Sequence, residues 1–300
     1  DPRSRDTMKV REVTVDVGSG RSEKSANILI PEDKERLLDY IVLRDRITHE
    51  RKTLKDHGVI ITEKLASLLD VQTGDTIYIK SGDEEGIEVQ VTDIVENYLM
   101  HYVFMSPGLY RELYGKAPEY NKIYGLYAEE QAESEEKFAE EILKQPAVTS
   151  ILLTSKLQKS LLDMLKSLNI VVYVLIIAAG LLAFVVLYNL NYINISERRR
   201  ELSTLKVLGF QDTEVAVYVY RENIFLTVFG IALGIFLGLI LHRYVILTTE
   251  IDIIMFGRNI NFSSYLWSIL LTFGFTALVN LVMYYQVKRI DMIESLKSVE

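Results

Sequence analysis

The spacing of apolar residues changes near residue 155. Before it, short alternating segments are separated by Gly, Pro and Asp, the pattern of half-buried strands joined by turns. After it, apolar residues merge into long runs. In the first part, Met8–Val17 and Ala26–Ile30 read as strands, followed by a helix over Asp33–Ile41. Ile60–Leu69 reads as a strand end, a Thr62 cap and a short helix over Glu63–Leu69. Thr76–Lys80 and Ile87–Val95 predict a β-hairpin, with Ile87, Val89 and Val91 on one face. Its turn, Ser81–Gly86, holds Asp83, Glu84 and Glu85, which suit a solvated tip better than a metal site. Lys122–Tyr127, a charged helix over Glu129–Lys144 and Val148–Leu153 predict a strand–helix–strand unit. The aromatic residues between Tyr98 and Tyr127 fit core and half-buried strand positions, with a binding surface as the alternative.

The second part holds three runs of membrane length: Ile170–Leu187, Asn223–Leu241 and Phe262–Val287. About 20 apolar residues cross a bilayer core, and three such runs do not fit a soluble core. The expected fold is an α+β domain over residues 1–154, then an all-α membrane region over 155–300. Its three transmembrane helices lie at about 170–190, 223–241 and 262–287, the first preceded by a long stalk.

Only Gly180 interrupts good helix formers between Ser155 and Arg200. A helix over those residues would be roughly 65–70 Å long, more than twice what the bilayer core needs. Its outer part carries an apolar stripe, Leu157, Leu161, Met164, Leu165 and Leu168, that either meets another stalk helix or packs on its own domain. The inner part runs into Glu197–Phe210, where Gly209 fits a C′ position and Asp212 the next N-cap. This charged elbow, with Leu202, Leu205 and Leu208 on its apolar side, suits a lipid-interface helix or a docking element for a cytoplasmic partner. Gly230, Gly234 and Gly238 share one face of the second run. They either admit a close helix partner or reflect the general frequency of glycine in membrane helices. Asn280 lies deep in the third run and is expected to face protein.

Charge supplies direction. Arg198, Arg199, Arg200, Lys206 and Arg221 follow the first run, and Lys288, Arg289 and Lys297 follow the third, whereas the loop between the second and third has only Arg243 and Arg258. By the positive-inside rule, loop 196–222 and the C-terminus are cytoplasmic, and residues 1–168 and the loop around Ile246–Asn261 are outside. Residues 1–168 hold 23 Lys/Arg against 31 Asp/Glu, a net charge of −8 that argues against nucleic acid as a partner. Without Cys, and with His49, His57, His101 and His242 scattered, no metal site and no catalytic residue is expected. The start at Asp1-Pro2, with no export signal after it, reads as a fragment or processed product.

Glu197–Gly209 (ERRRELSTLKVLG) and the tail Val287–Lys297 (VKRIDMIESLK) resemble the FtsX-like permeases, the family that includes the MacB, Lol and Bce-type ABC transporters. Gly58–Leu69, Val71–Thr76 and the segment Lys122–Leu153 resemble the exported core domain of those permeases. The resemblance implies a unit of one transmembrane helix, an exported domain and three more helices, of which this chain lacks the first. It implies coupling to a cytoplasmic ATPase through Glu197, Arg198, Arg200, Glu201, Leu205, Lys206, Leu208 and Gly209. ATP and Mg would then be bound by that partner, since no G-x-x-x-x-G-K-[ST] loop occurs here. The implied partners are the ATPase, a second permease half or protomer, membrane lipid and an extracellular protein. The implied action is mechanotransmission, with no enzymatic chemistry, for export or extraction of a hydrophobic or peptide-like substrate. The same motion would alternatively switch on an extracellular cell-wall hydrolase. A membrane-anchored binding protein without an ATPase is the third reading.

Overall fold

The computed structural model describes residues 4–20, 22–82, 86–127 and 135–288. The chain forms two compact units, one of residues 1–151 with 246–257, the other of residues 152–245 with 258–300.

The first unit is α+β. Its elements are β1 (Ser4–Ser19), β2 (Ser22–Pro31), α1 (Leu37–Tyr40), β3 (Val59–Thr62), α2 (Glu63–Leu69), β4 (Thr76–Lys80), β5 (Ile87–Val95), β6 (Tyr102–Phe104), α3 (Pro107–Tyr114), β7 (Lys122–Tyr127) and α4 (Glu135–Leu143). The seven strands form one sheet in the order β2-β6-β3-β5-β4-β1-β7. A further pairing of β2 with β1 closes six of them into a circuit and leaves β7 as an addition to β1. The length of β1 permits this: Val10–Ser19 pairs with β2, while Ser4–Val10 pairs with β7 and Asp16–Gly18 with β4. The pairs β2–β6 and β3–β5 are parallel and the rest antiparallel.

Two apolar clusters lie on opposite faces of this sheet, and successive residues of the apolar runs divide between them. Ile28, Ile30, Val59 and Ile61 join Leu65 and Leu69 of α2 and Leu109 and Tyr110 of α3. Leu29 and Ile60 join Met8, Val10, Leu37, Leu43 and Phe104. The side-chain period of two explains why these short runs are continuously apolar: both faces of the strands are covered by protein. Glu12 ties three strands together. Its half-buried carboxylate accepts from Tyr124 Oη at 3.1 Å, Lys122 Nζ at 3.0 Å and Tyr102 Oη at 3.4 Å. Asn121 adds a reciprocal pair of bonds with the Glu12 backbone. Burial, reinforced by Glu12, pushes the Tyr124 hydroxyl above its ordinary pKa.

The strands expected at Thr76–Lys80, Ile87–Val95 and Lys122–Tyr127 and the helix at Glu63–Leu69 are found with those bounds. Three expectations are corrected. Val148–Leu153 forms no strand, so β7 and α4 have no returning partner. The helix expected over Asp33–Ile41 is confined to Leu37–Tyr40, because Asp33 Oδ1 accepts the Glu35 N–H and holds the preceding chain in a turn. Thr62 precedes α2 but makes no cap bond; its Oγ1 accepts from the Tyr102 backbone N–H at 3.3 Å. The tip Asp83–Glu85 and residues 129–134 of the charged helix lie outside the described residues. Of the aromatic residues, Phe104 and Tyr110 are core, Tyr102 and Tyr124 half-buried, and Tyr98 exposed.

The second unit is all-α: α5 (Thr154–Glu197), α6 (Arg199–Val207), α7 (Asp212–Thr249) and α8 (Phe262–Lys288), the last turn of α7 belonging to the first unit. Among the described residues, three helices are long and apolar enough to cross a membrane, and their apolar surface is mostly uncovered by the chain itself. Contacts run from Tyr220 to Asn280 and from Thr227 to Thr276, so α7 and α8 are antiparallel. Tyr220 Oη donates to the Asn280 carbonyl at 2.8 Å, and Asn223 Nδ2 donates to Asn280 Oδ1 at 3.2 Å. Asn280 thus faces protein, since its amide group would find no partner in lipid.

Candidate functional site

The elbow after α5 carries most of the residues singled out in the sequence. The 44-residue α5 is an unbroken rod about 66 Å long, ending at Glu197. The helix does not run through to Phe210. Arg198 leaves helical geometry, with φ −95° and ψ 11°, and α6 starts afresh at Arg199. Gly209, with φ +96°, follows α6 in a left-handed conformation that costs a side-chain-bearing residue more. The next helix begins at Asp212, one residue earlier than an Asp212 cap requires. Gln211 stands before it, and Glu214 reaches back to accept the Gln211 N–H at 2.9 Å.

Every third or fourth residue of α6 turns inward. Leu202 is fully buried in a cluster with Ile195 of α5, Val215 of α7 and Val279 and Met283 of α8, with Leu205 at its margin. This cluster attaches α6 to all three long helices. Lys206, singled out for docking, is only 7% exposed and lies on this inner side. Leu208, assigned with Leu202 to one apolar side, is 70% exposed. Glu197, Arg200, Glu201 and Gly209 are exposed, and Arg198 is half-buried. Ser203 Oγ and Thr204 Oγ1 donate to the carbonyls of Arg199 and Arg200, keeping these hydroxyls occupied within the helix.

A cleft of about 810 Å³ opens between α6 and the start of α7. Glu201, Leu205, Phe210, Thr213, Glu214 and Arg221 line it, and its surface is more apolar than polar. Sequence reasoning found Glu201 and Leu205 but missed Phe210, Thr213 and Glu214. Their signal was the helix start itself, since residues at the mouth of a helix–turn–helix face the same space.

The other predicted groups are placed as follows. Among the described residues, no atom beyond the adjoining turns of α7 lies within 4 Å of a Cβ placed at Gly230, Gly234 or Gly238. The glycine in close helix contact is Gly180, where a Cβ would stand 2.2 Å from Cζ of Phe275. On the stalk, Leu157 is half-buried and Leu161 and Met164 are exposed. Leu165 and Leu168 lie within α5, their side chains outside the described residues, as are Arg289 and Lys297 of the tail.

Residues 173–292 match the family described as FtsX-like permease, C-terminal. An uncharacterized ABC transporter permease of Methanocaldococcus jannaschii is 27% identical over 184 residues, or 59% of this chain. The match spans 45% of that protein, so the chain covers about half the length of this relative. Two solved structures are similar to the chain at low scores. The extracellular domain of the noncanonic ABC-type transporter YknZ from Gram-positive bacteria has a TM-score of 0.34 and 12% identity, covering 46% of this chain and 71% of that one. The periplasmic region of MacB from Actinobacillus actinomycetemcomitans has a TM-score of 0.31 and 10% identity, covering 48% and 68%. Residues 173–292 are thus similar to the C-terminal part of FtsX-like permeases.

Proposed function

We propose that this chain is the permease part of an ABC transporter in which a separate cytoplasmic ATPase pushes on the elbow, and α5 carries that push to an extracytoplasmic sheet domain. The observation that carries the reading is the elbow itself. It is an exposed, basic-flanked cleft whose helix α6 is anchored by Leu202 to α5, α7 and α8 at once. A force on α6 therefore reaches every long helix through close-packed side chains, which shift as blocks and do not yield locally.

Within that reading the docking surface comprises Glu197, Arg198, Arg200, Glu201, Leu205, Leu208 and Gly209, with Phe210 and Arg221 completing the cleft. Lys206 supports α6 from inside. The excess of Lys and Arg after the first and third runs supports a cytoplasmic elbow and C-terminus and a sheet domain outside. ATP and Mg belong to the partner, and the permease performs no chemistry. The cargo is a hydrophobic or peptide-like molecule exported or extracted by movement of the domain. The exposed stripe residues Leu161 and Met164 and the glycine face of α7 suit a second permease half or protomer.

The test is affinity purification from native membranes. An ABC ATPase is expected to co-purify with the chain and to be lost on Leu205→Glu, while the protein still inserts and folds. Retention of the ATPase by Leu205→Glu, or its absence from both preparations, would overturn the reading. A lipid or peptide recovered with the sheet domain supports transport. A cell-wall hydrolase recovered in its place supports signalling.

A further inference from the structure

The loop between α7 and α8 belongs, by its packing, to the sheet domain. Residues 246–257 lie in the first unit although they are separated from it by more than 90 residues of helix. Three kinds of interaction hold them. Backbone bonds run from the Met100 N–H to the Ile253 carbonyl at 2.7 Å and from the Met255 N–H to the Tyr98 carbonyl at 3.1 Å, setting Leu99 against Ile254 in an antiparallel bridge. Met255 is buried. The third is an ion pair: Lys64 Nζ of α2 meets Glu250 Oε2 at 2.6 Å, with side chains only 12% and 2% exposed. The other Glu250 oxygen accepts the Phe256 N–H at 3.1 Å, closing the loop upon itself. A second pair, Lys24 with Asp252 at 2.6 Å, covers the outer edge.

We propose that residues 246–257 are a strap clamped to the sheet domain by the Lys64–Glu250 pair, so that motion of α7 and α8 reaches the domain through a second attachment besides α5. A loop merely resting on a surface would keep its carboxylate in water. Glu250 gives up its hydration, and Lys64 and the Phe256 N–H supply partners for its two oxygens. A shifted register that carried one partner away would leave the other charge buried without it, so the pair favours a single docked position. The strap is continuous in sequence with the last turn of α7 and the approach to α8, and movement of either helix pulls on it. That consequence rests on the permease reading; the docking itself does not.

The chain has no Cys, so Leu99→Cys with Ile254→Cys introduces the only thiols. The two bonds flanking this bridge make it a non-hydrogen-bonded antiparallel pair, with Cα atoms about 4.5 Å apart and within disulfide reach. In the full chain in membranes, mild oxidation is expected to cross-link the pair almost completely. Adding Lys64→Glu or Glu250→Lys is expected to slow cross-linking about tenfold or more. Combining the two reversals is expected to restore it. With the co-purified ATPase, the locked disulfide form is expected to keep its permease-dependent ATP hydrolysis and Glu250→Lys to lose most of it, again recovered by the double reversal. Cross-linking indifferent to the single reversals would overturn the clamp. A locked form that is inactive would also overturn it, since the strap would then have to open in each cycle. Failure to recover any ATPase would count against the permease reading, while the cross-linking result would still decide the clamp.

Discussion

The runs Ile28–Ile30 and Val59–Ile61 are as apolar as Ile170–Leu187, yet the structure treats them oppositely. In the sheet domain every one of those six residues is buried by other parts of the chain. In α5 nearly all of the corresponding residues stand exposed, including Val171, Leu175, Ile177, Leu181 and Leu182. The same hydrophobicity serves two solvents. A short run bounded by turns is covered by layers of protein on both faces. A run of membrane length is left mostly uncovered by the chain, and what it turns toward protein includes polar residues such as Asn280 beside a few apolar ones such as Val279 and Met283.

Substituting across the two regions sharpens this contrast. Ile60→Ala removes a fully buried side chain between β3 and the second cluster, and is expected to cost roughly 2–5 kcal/mol of unfolding free energy in denaturant titration. Leu175→Ala, on the exposed face of α5, is expected to leave the same transition within about 0.5 kcal/mol. Equal effects would show that α5 is packed like the sheet.

Glu12→Ala comes next, with an expected loss of about 1–3 kcal/mol from leaving Tyr102, Tyr124 and Lys122 short of an acceptor. A glycine pair probes the helical unit. Gly180→Leu drives a side chain into the Phe275 ring and is expected to lower thermal stability in detergent by about 1–3 kcal/mol. A Cβ at Gly234 meets no described residue beyond its own helix, so Gly234→Leu is expected to leave the fold unchanged and to weaken only assembly with a second copy or half, read by cross-linking in membranes.

The smallest expected effect is on pH dependence. His101 is 5% exposed in the sheet domain, where burial holds its pKa below the ordinary value and Lys24 and Lys64 add to the depression against Asp252. The unfolded chain then binds a proton that the folded one refuses. Stability contributed by this group is full above the ordinary pKa of about 6.5 and declines as pH falls from there toward the folded value. Melting followed between pH 7.5 and 5 is expected to show this decline, and His101→Phe to flatten it. An unchanged slope in His101→Phe would assign the dependence to other groups.

Local signals were legible and distant ones were not. Alternation with turn residues at both ends located β4, β5, β7 and α2, because each of these is decided by its own residues. The strand expected at Val148–Leu153 failed because alternation alone does not supply a pairing partner. The pairings of β2 with β6 and of β1 with β4 that complete the circuit, and the docking of residues 246–257, depend on long-range partners; Lys64 and Glu250 stand 186 positions apart. At the elbow, helical spacing marked a docking face but did not show which side the three long helices occupy. That is why Lys206 and Leu202 were grouped with residues that the structure leaves outside. The glycine row is a related case: a small-residue face states that close approach is allowed, and it names no partner.

The central claim is that the outer face of α6 receives a cytoplasmic ATPase. A photo-cross-linking residue placed at Leu208, exposed on that face, tests it in intact membranes, with the same residue at Leu175 as a lipid-facing control. The account predicts a protein adduct at Leu208 whose second component is an ABC ATPase, and none at Leu175. Adducts only with lipid at both positions would contradict it and make α6 an interfacial helix.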